Sequence, residues 1–228
     1  MQTLEILSDL VKGFGTTALL FFVTLVFSLP LGLLISFGSL SRIKPIRWLT
    51  KGLVWVIRGT PLMLQILAVS LIPNYLFGLP NKKLMVLLGI ERMSDLLLFF
   101  VIIAFVINYA CYFSEIFRGG IESIPRGQYE AGAVLGMKKS QVFFKVILLQ
   151  VVKRTLAPVS NEVITLVKDT ALAQVLGVVE MFTAAKMAVN HYVIFTPLLY
   201  AGLFYLLANG LLTLLFGVAE KKLAYFKE

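Results

Sequence analysis

The sequence predicts an all-α membrane protein with five transmembrane helices. Three observations carry this: 59% of the 228 residues are hydrophobic, charged residues are held to 14%, and the charges are clumped between long apolar runs. Soluble domains sit at about 45–50% apolar, and a chain of this size has too little interior to hide the excess. Mean hydropathy is +0.90, which matches lipid as the solvent.

A spanning helix needs about 20 apolar residues to cross about 30 Å of hydrocarbon. The first run, residues 14–40, meets this. It exceeds a signal-peptide core, follows the acidic Glu5 and Asp9, and has no small-residue cleavage site after it, so a retained span is expected. Within it Ser28, Gly32 and Ser36 recur at helical spacing, which lets helices approach closely in lipid. Pro30 on the same stretch is expected to kink it. The second span is placed at 55–79, with Leu62–Leu79 as its clearly apolar part. The third is 96–117 and the last 193–218. Between these lies 155–180, apolar overall but holding Asn161, Glu162, Lys168 and Asp169. It counts as the fourth span on topology and on the chemistry of those residues. The whole chain, 1–228, reads as one transmembrane domain.

Basic residues in short loops set orientation. With five spans, fifteen cations fall on one side: Arg42, Lys44, Arg47, Lys51, Arg58, Arg118, Arg126, Lys138, Lys139, Lys145, Lys153, Arg154, Lys221, Lys222 and Lys227. Five fall on the other: Lys12, Lys82, Lys83, Arg92 and Lys186. This bias puts the N-terminus outside and the C-terminus in the cytoplasm of a bacterial-type cell membrane. The net charge of +9 therefore speaks for membrane orientation and not for nucleic acid. On the basic side, Lys44, Arg47, Lys51 and Arg58 share helical spacing with Trp48 and Trp55. That pattern fits a headgroup-layer helix and equally an ordinary cytoplasmic helix end.

The connection 118–157 is the longest polar, basic stretch of the chain, and loops of that length usually carry function. Residues 123–139 read as a short helix that begins around Gln128, Tyr129, Glu130 and Ala131 and is stopped by Gly136. A short helix held on a polar loop is a docking element.

This loop resembles the EAA motif of binding-protein-dependent ABC importer permeases: Glu-Ala-Ala, three residues, Gly, nine residues, Ile, one residue, Leu-Pro. The matching positions are Glu130, Ala131, Gly132, Gly136, Val146, Leu148 and Leu149. Gly132 replaces the second Ala, Val146 the Ile and Leu149 the Pro. Other segments are similar to the polar amino acid subfamily, the histidine, glutamine and arginine type. Arg58, Gly59, Thr60 and Pro61 with Gln65 match its RGTP motif. Glu115, Arg118, Gly119, Gly120, Ile121 and Gln128 match a second run, and Asn161, Ile164, Lys168, Asp169 and Thr170 a third. The resemblance covers most of the chain from Arg58 to Met181. It implies a type I ABC importer permease fold with a cytoplasmic coupling helix. Two permease chains, identical or paralogous, form the pathway. A cytoplasmic ABC ATPase dimer binds the coupling helices, with Glu130 and Gly136 as anchors. An extracellular or periplasmic amino-acid-binding protein delivers the solute. The chain has no G-x-x-x-x-G-K-[ST] phosphate loop, so ATP and Mg are expected in the partner ATPase. No cofactor or metal is expected here, and no catalysis.

Glu162, Thr165 and Asp169 lie at i, i+3 and i+7, on one helix face; Asn161 and Lys168 lie on an adjoining one. Charges in lipid cost roughly 2.5–3.5 kcal/mol on insertion scales and mark pathways. These five residues form the candidate solute pocket, with Glu162 meeting an α-ammonium or a cationic side chain and Asn161 and Thr165 orienting it. A Lys168–Asp169 or Lys168–Glu162 ion pair that only fixes helix packing is the plainer alternative, and both stay open. Glu162 favours a cationic amino acid without excluding neutral ones. Elsewhere the plain readings lead: Cys111 as inert packing, His191 exposed in a short external loop, Phe195, Tyr200 and Tyr205 in lipid or packing contacts, and a local Glu115–Arg118 salt bridge. The rival function is an ion- or proton-coupled secondary transporter using Glu162 and Asp169. The absence of an internal repeat disfavours it. An intramembrane enzyme lacks a nucleophile–base pair or a metal set.

Overall fold

The computed structural model describes residues 2–223; Lys227, counted above among the basic-side residues, lies outside them. Among the described residues ten α-helices follow one another: α1 (Gln2–Ser39), α2 (Lys44–Arg58), α3 (Leu62–Phe77), α4 (Asn81–Leu88), α5 (Met93–Glu122), α6 (Arg126–Val134), α7 (Lys139–Val142), α8 (Leu148–Asp169), α9 (Met181–Tyr192) and α10 (Thr196–Leu223). A π-helical turn, Phe143–Ile147, joins α7 to α8, and a 3-10 segment, Thr170–Leu176, follows α8.

Three of these helices, α1, α5 and α10, are each long and apolar enough to cross a membrane. The pair α2 and α3 passes the same test together but is bent by 112°. The expected span 55–79 is therefore not one helix. Gly59 caps α2, Pro61 sits extended at φ −63°, ψ 134°, and α3 starts at Leu62. A proline has no N–H to give and forces its predecessor out of the helical region, so α2 cannot run on into α3.

The stretch 155–180 also differs from expectation. Its helix starts earlier, at Leu148, ends at Asp169, and continues as the 3-10 segment stopped by Gly177 at φ 74°. With Lys153, Arg154, Glu162, Lys168 and Asp169 on it, α8 is not among the helices that pass on hydropathy. The loop 118–157 shrinks from both ends, because α5 runs on to Glu122 and α8 begins at Leu148. Close packing explains this: Gly120 lets α5 lie directly on Thr155 and Val151 of α8, and the contact needs both segments helical.

α1 is continuous through Pro30. At about 1.5 Å per residue its 38 residues span ~57 Å, more than the hydrocarbon core, so its ends project beyond it. Ser28, Gly32 and Ser36 are buried on the side facing α5. A Cβ at Gly32 would lie 2.9 Å from the Ala110 carbonyl oxygen and 2.9 Å from Phe113 Cβ. Backbone cannot yield as a flexible side chain does. Gly32→Ala is expected to cost about 1–3 kcal/mol through overpacking, read as a lowered Tm in detergent. Gly15→Ala, where a Cβ meets nothing within 4 Å, serves as the unaffected control.

The core forms where α5 meets α1, α3 and α8. Leu20, Ile66, Val101, Phe105, Phe113, Leu166 and Ala173 are its fully buried members. Phe105, Tyr109, Phe113 and Phe117 repeat every four residues on α5, which stacks their rings along one stripe at 6.2, 6.2 and 6.3 Å. α10 by contrast leaves Leu199, Leu206, Leu211 and Leu214 exposed. An apolar helix uncovered on that scale is suited to lipid or a second protein.

α9 replaces the short loop expected between the last two spans. Ala184, Ala185 and Ala188 are buried against α1 and α10, and a Cβ at Gly13 of α1 would lie 3.0 Å from Ala184 Cβ. His191 ends up exposed, as expected, in the last turn of α9 rather than in a loop.

Candidate functional site

The α2–α3 corner is held by the residues of the RGTP stretch. Gln65, one turn into α3, donates from Nε2 to the Ile57 carbonyl at 2.7 Å, the Thr60 carbonyl at 3.0 Å and Thr60 Oγ1 at 2.9 Å. Thr60 donates in turn to the Val56 carbonyl at 3.0 Å. These bonds take up carbonyls that the end of α2 leaves without helical partners. Gln65 Oε1 accepts from Asn108 Nδ2 of α5 at 2.9 Å, which ties the corner to the core helix. Arg58 lies with its guanidinium 5.1 Å over the Tyr112 ring and 3.7 Å from Glu115. The expected Glu115–Arg118 pair is present, with Nε and Nη2 of Arg118 at 3.0 and 2.8 Å from the two carboxylate oxygens. Arg118 also reaches Glu122 at 2.6 Å.

On α8, Glu162, Thr165 and Asp169 are half-buried, whereas Asn161 and Lys168 are exposed. Among the described residues, Lys168 forms an ion pair with neither Asp169 nor Glu162, so the packing pair held open as the plainer alternative is not made. Asp169 Oδ2 instead accepts from the hydroxyl of Tyr109 at 2.7 Å, and that ring is 2% exposed. Glu162 accepts no hydrogen bond among the described residues, while the charge of Arg58 acts on it across the space between α2 and α8. The half-buried polar side of α8 thus holds Glu162, Thr165 and Asp169, with Tyr109 of α5 bonded to the last.

A second polar knot escaped the sequence reading. Glu180 is 0% exposed. It caps α9 by accepting from Phe182 N at 2.8 Å and Thr183 N at 2.7 Å, and it also accepts from the hydroxyls of Thr183 at 2.9 Å and Tyr205 at 3.0 Å. Thr17 of α1 accepts from Met181 N at 3.1 Å. A buried carboxylate is tolerated when its lone pairs are filled; here they tie α9 to α10, and the Thr17–Met181 bond adds α1. Tyr205 therefore has a defined partner beyond simple packing. The available signal was an acid followed by a helix-forming run, the pattern of an N-cap.

The short helix at the other end of α5 is α6. It carries Glu130, Ala131 and Gly132, and its end is a Schellman motif: Met137 N donates to the Gly132 carbonyl at 3.0 Å, Gly136 N to the Ala133 carbonyl at 3.0 Å, and Gly136 has φ 69°. The expected stop at Gly136 is thus the turn itself. Gly132 is buried against α7, and a Cβ there would lie 2.5 Å from Val142 Cγ2. This close approach accounts for glycine where the EAA pattern has its second alanine. Beneath α6 sits a separate small core of Ile124, Val142, Ile147 and Val151. Outward it presents Glu130 and Ala131, with Val134 and Leu135 exposed at 87% and 78%. Glu130 makes no hydrogen bond or ion pair among the described residues.

An apolar helical bundle, a polar face half-sunk along its inner helices, and a stiff exposed helix mounted at one end define a membrane transport component. The chain belongs to the family of binding-protein-dependent transport system inner membrane components, whose model matches residues 28–225. It is a multi-pass protein of the bacterial inner membrane. It is 35% identical over 174 residues to the L-cystine transport system permease protein TcyB of Bacillus subtilis, covering 76% of this chain and 68% of that one. To the arginine transport system permease protein ArtQ of the same organism it is 32% identical over 215 residues, covering 94% and 92%. A crystal structure of an amino acid ABC transporter with histidines superposes with a TM-score of 0.79 at 26% identity, covering 96% of each chain. The inward-facing MetNI methionine ABC transporter shares the fold at a TM-score of 0.68 and 16% identity.

Proposed function

We propose that this chain is the permease subunit of an ATP-driven ABC importer for a polar amino acid, a cationic one being the best fit to Glu162. The observation that carries the reading is α6: an exposed helix with a fixed end, a core of its own and outward-facing Glu130, Val134 and Leu135. Such a helix needs no partner to hold its shape and offers charge and apolar surface to one. In this reading the partner is a cytoplasmic ABC ATPase dimer that binds ATP and Mg, and α6 is the coupling helix. The N-terminus lies outside, and α8 serves as a fifth membrane segment lining the pathway beside a second permease chain. A binding protein outside delivers the amino acid, and Glu162, Asn161, Thr165, Lys168 and Asp169 line its passage. The names of the relatives, cystine and arginine permeases among them, support an amino acid and leave its side chain open.

The test is ATPase stimulation in the reconstituted complex, with the cognate binding protein and a panel of amino acids. A severalfold rise confined to one side-chain class is expected, with cationic amino acids leading. A flat panel overturns the amino acid assignment. Uptake driven by an ion gradient without any ATPase subunit establishes the secondary-transporter alternative instead.

A further inference from the structure

The sequence left α2 between two roles, and the geometry now separates them. α2 bends 112° away from α3, so the two cannot both run along the bilayer normal, and with α3 as the spanning member α2 lies across it. At about 100° per residue, Lys44, Arg47, Lys51 and Arg58 fall within an arc of roughly 60°, with Trp48 and Trp55 along its edge. Leu49, Leu53 and Val56 face the opposite way and are exposed. The helix contains no acidic residue. The side chains of Lys44, Arg47 and Lys51 make no hydrogen bond or ion pair among the described residues. Trp48 and Trp55 are 76% and 78% exposed, an arrangement that burial within this chain cannot explain.

Beside the basic arc is a cleft of about 540 Å³ lined by Lys51, Trp55, Arg58, Glu115 and Arg118. Glu115 is bound by Arg118 and lies 3.7 Å from Arg58, so one acid faces three cations and the cleft lining carries net positive charge.

We propose that α2 is an interfacial helix that binds anionic phospholipid, with a phosphate headgroup seated in the Lys51–Arg58–Arg118 cleft. Charge complementarity selects the occupant: a basic arc, flanking indoles and an apolar underside match an anionic lipid surface. A second permease chain would not require four cations on one face. Arg58 also acts on Glu162, so a headgroup held there lies in electrostatic reach of the polar face.

The chain has two tryptophans, and both lie on α2, so its tryptophan emission, excited selectively at the red edge in a scaffold free of tryptophan, reports this helix alone. The full permease chain is placed in nanodiscs containing phosphatidylglycerol or phosphatidylcholine brominated near the top of the acyl chain, at equal mole fraction. Brominated phosphatidylglycerol is expected to quench more strongly. Lys51→Gln and Lys44→Gln are each expected to weaken that preference by about fivefold in lipid partition, while Lys51→Arg preserves it. Equal quenching by both lipids overturns the proposal. So does quenching by neither, which means that protein covers α2. Loss of the preference on adding inorganic phosphate reassigns the cleft to a free anion and overturns the lipid. The glutamine variants sit at exposed positions, and unchanged size-exclusion profiles confirm that they fold.

Discussion

Glu130→Lys is expected to leave the permease folded in the membrane and to strip it of the proposed ATPase partner. Glu130 is exposed and has no partner among the described residues, so nothing within the chain depends on it. The α6 end stays closed through the Met137–Gly132 and Gly136–Ala133 bonds, neither of which uses a side chain. Removing one partner of a desolvated charge pair costs about 2–5 kcal/mol at an interface, and reversing the charge adds repulsion. Association with the ATPase is therefore expected to weaken at least about a hundredfold. The measurement is co-purification of the ATPase with the tagged permease, alongside the thermal stability of the permease itself. An equimolar ATPase retained by the variant at unchanged affinity would falsify the role of α6. A variant that fails to accumulate points to a hidden structural role, which Glu130→Gln resolves, since it keeps the shape and loses only the charge.

The legible parts of this fold are those where one helix satisfies one physical rule by itself. The runs that became α1, α5 and α10 carry enough apolar length to be read without neighbours. The end of α6 was legible because glycine at a left-handed position is a local requirement. The failures are all places where two helices decide together. The join at 55–79 was misread because apolar content runs across Pro61, and hydropathy does not register a missing N–H. α9 was read as a loop because alanines and polar residues in short order carry no strong period. Its burial exists only where Gly13 of α1 lets Ala184 approach. Glu180 is the extreme case: its four hydrogen bonds come from α9 and α10, and only the capping pattern was visible beforehand. For the candidate pocket the sequence placed Glu162, Thr165 and Asp169 on one face, and the structure keeps them on a common half-buried face. What it could not contain was Tyr109, sixty residues away, or the Arg58 charge arriving from the α2–α3 corner.

That difference in surroundings separates the two acids in the proposed pocket and sets the second large effect. Asp169 is tethered, because the buried Tyr109 hydroxyl donates to it at 2.7 Å. An amide at 169 still accepts that bond, so Asp169→Asn mainly weakens a structural contact. Glu162 is half-buried with no hydrogen bond of its own among the described residues, and it faces the charge of Arg58. A half-buried carboxylate without a hydrogen bond is costly, and in the proposed pocket a passing ammonium would supply one. Glu162→Gln keeps size and polarity and removes the charge. A hydrogen bond to a charged group is worth about 1.5–3 kcal/mol, so KM for uptake should rise roughly ten- to a hundredfold. Expression and ATPase association should stay at wild-type levels. Asp169→Asn is expected to move KM by less than Glu162→Gln and Tm by more. Both are read in proteoliposomes with saturating binding protein, so that delivery does not mask the change. Unaltered uptake kinetics in Glu162→Gln would remove this carboxylate from the solute's path and leave Arg58 as its reason for being there. A larger KM change in Asp169→Asn would move the ammonium site about two turns along α8, toward Tyr109.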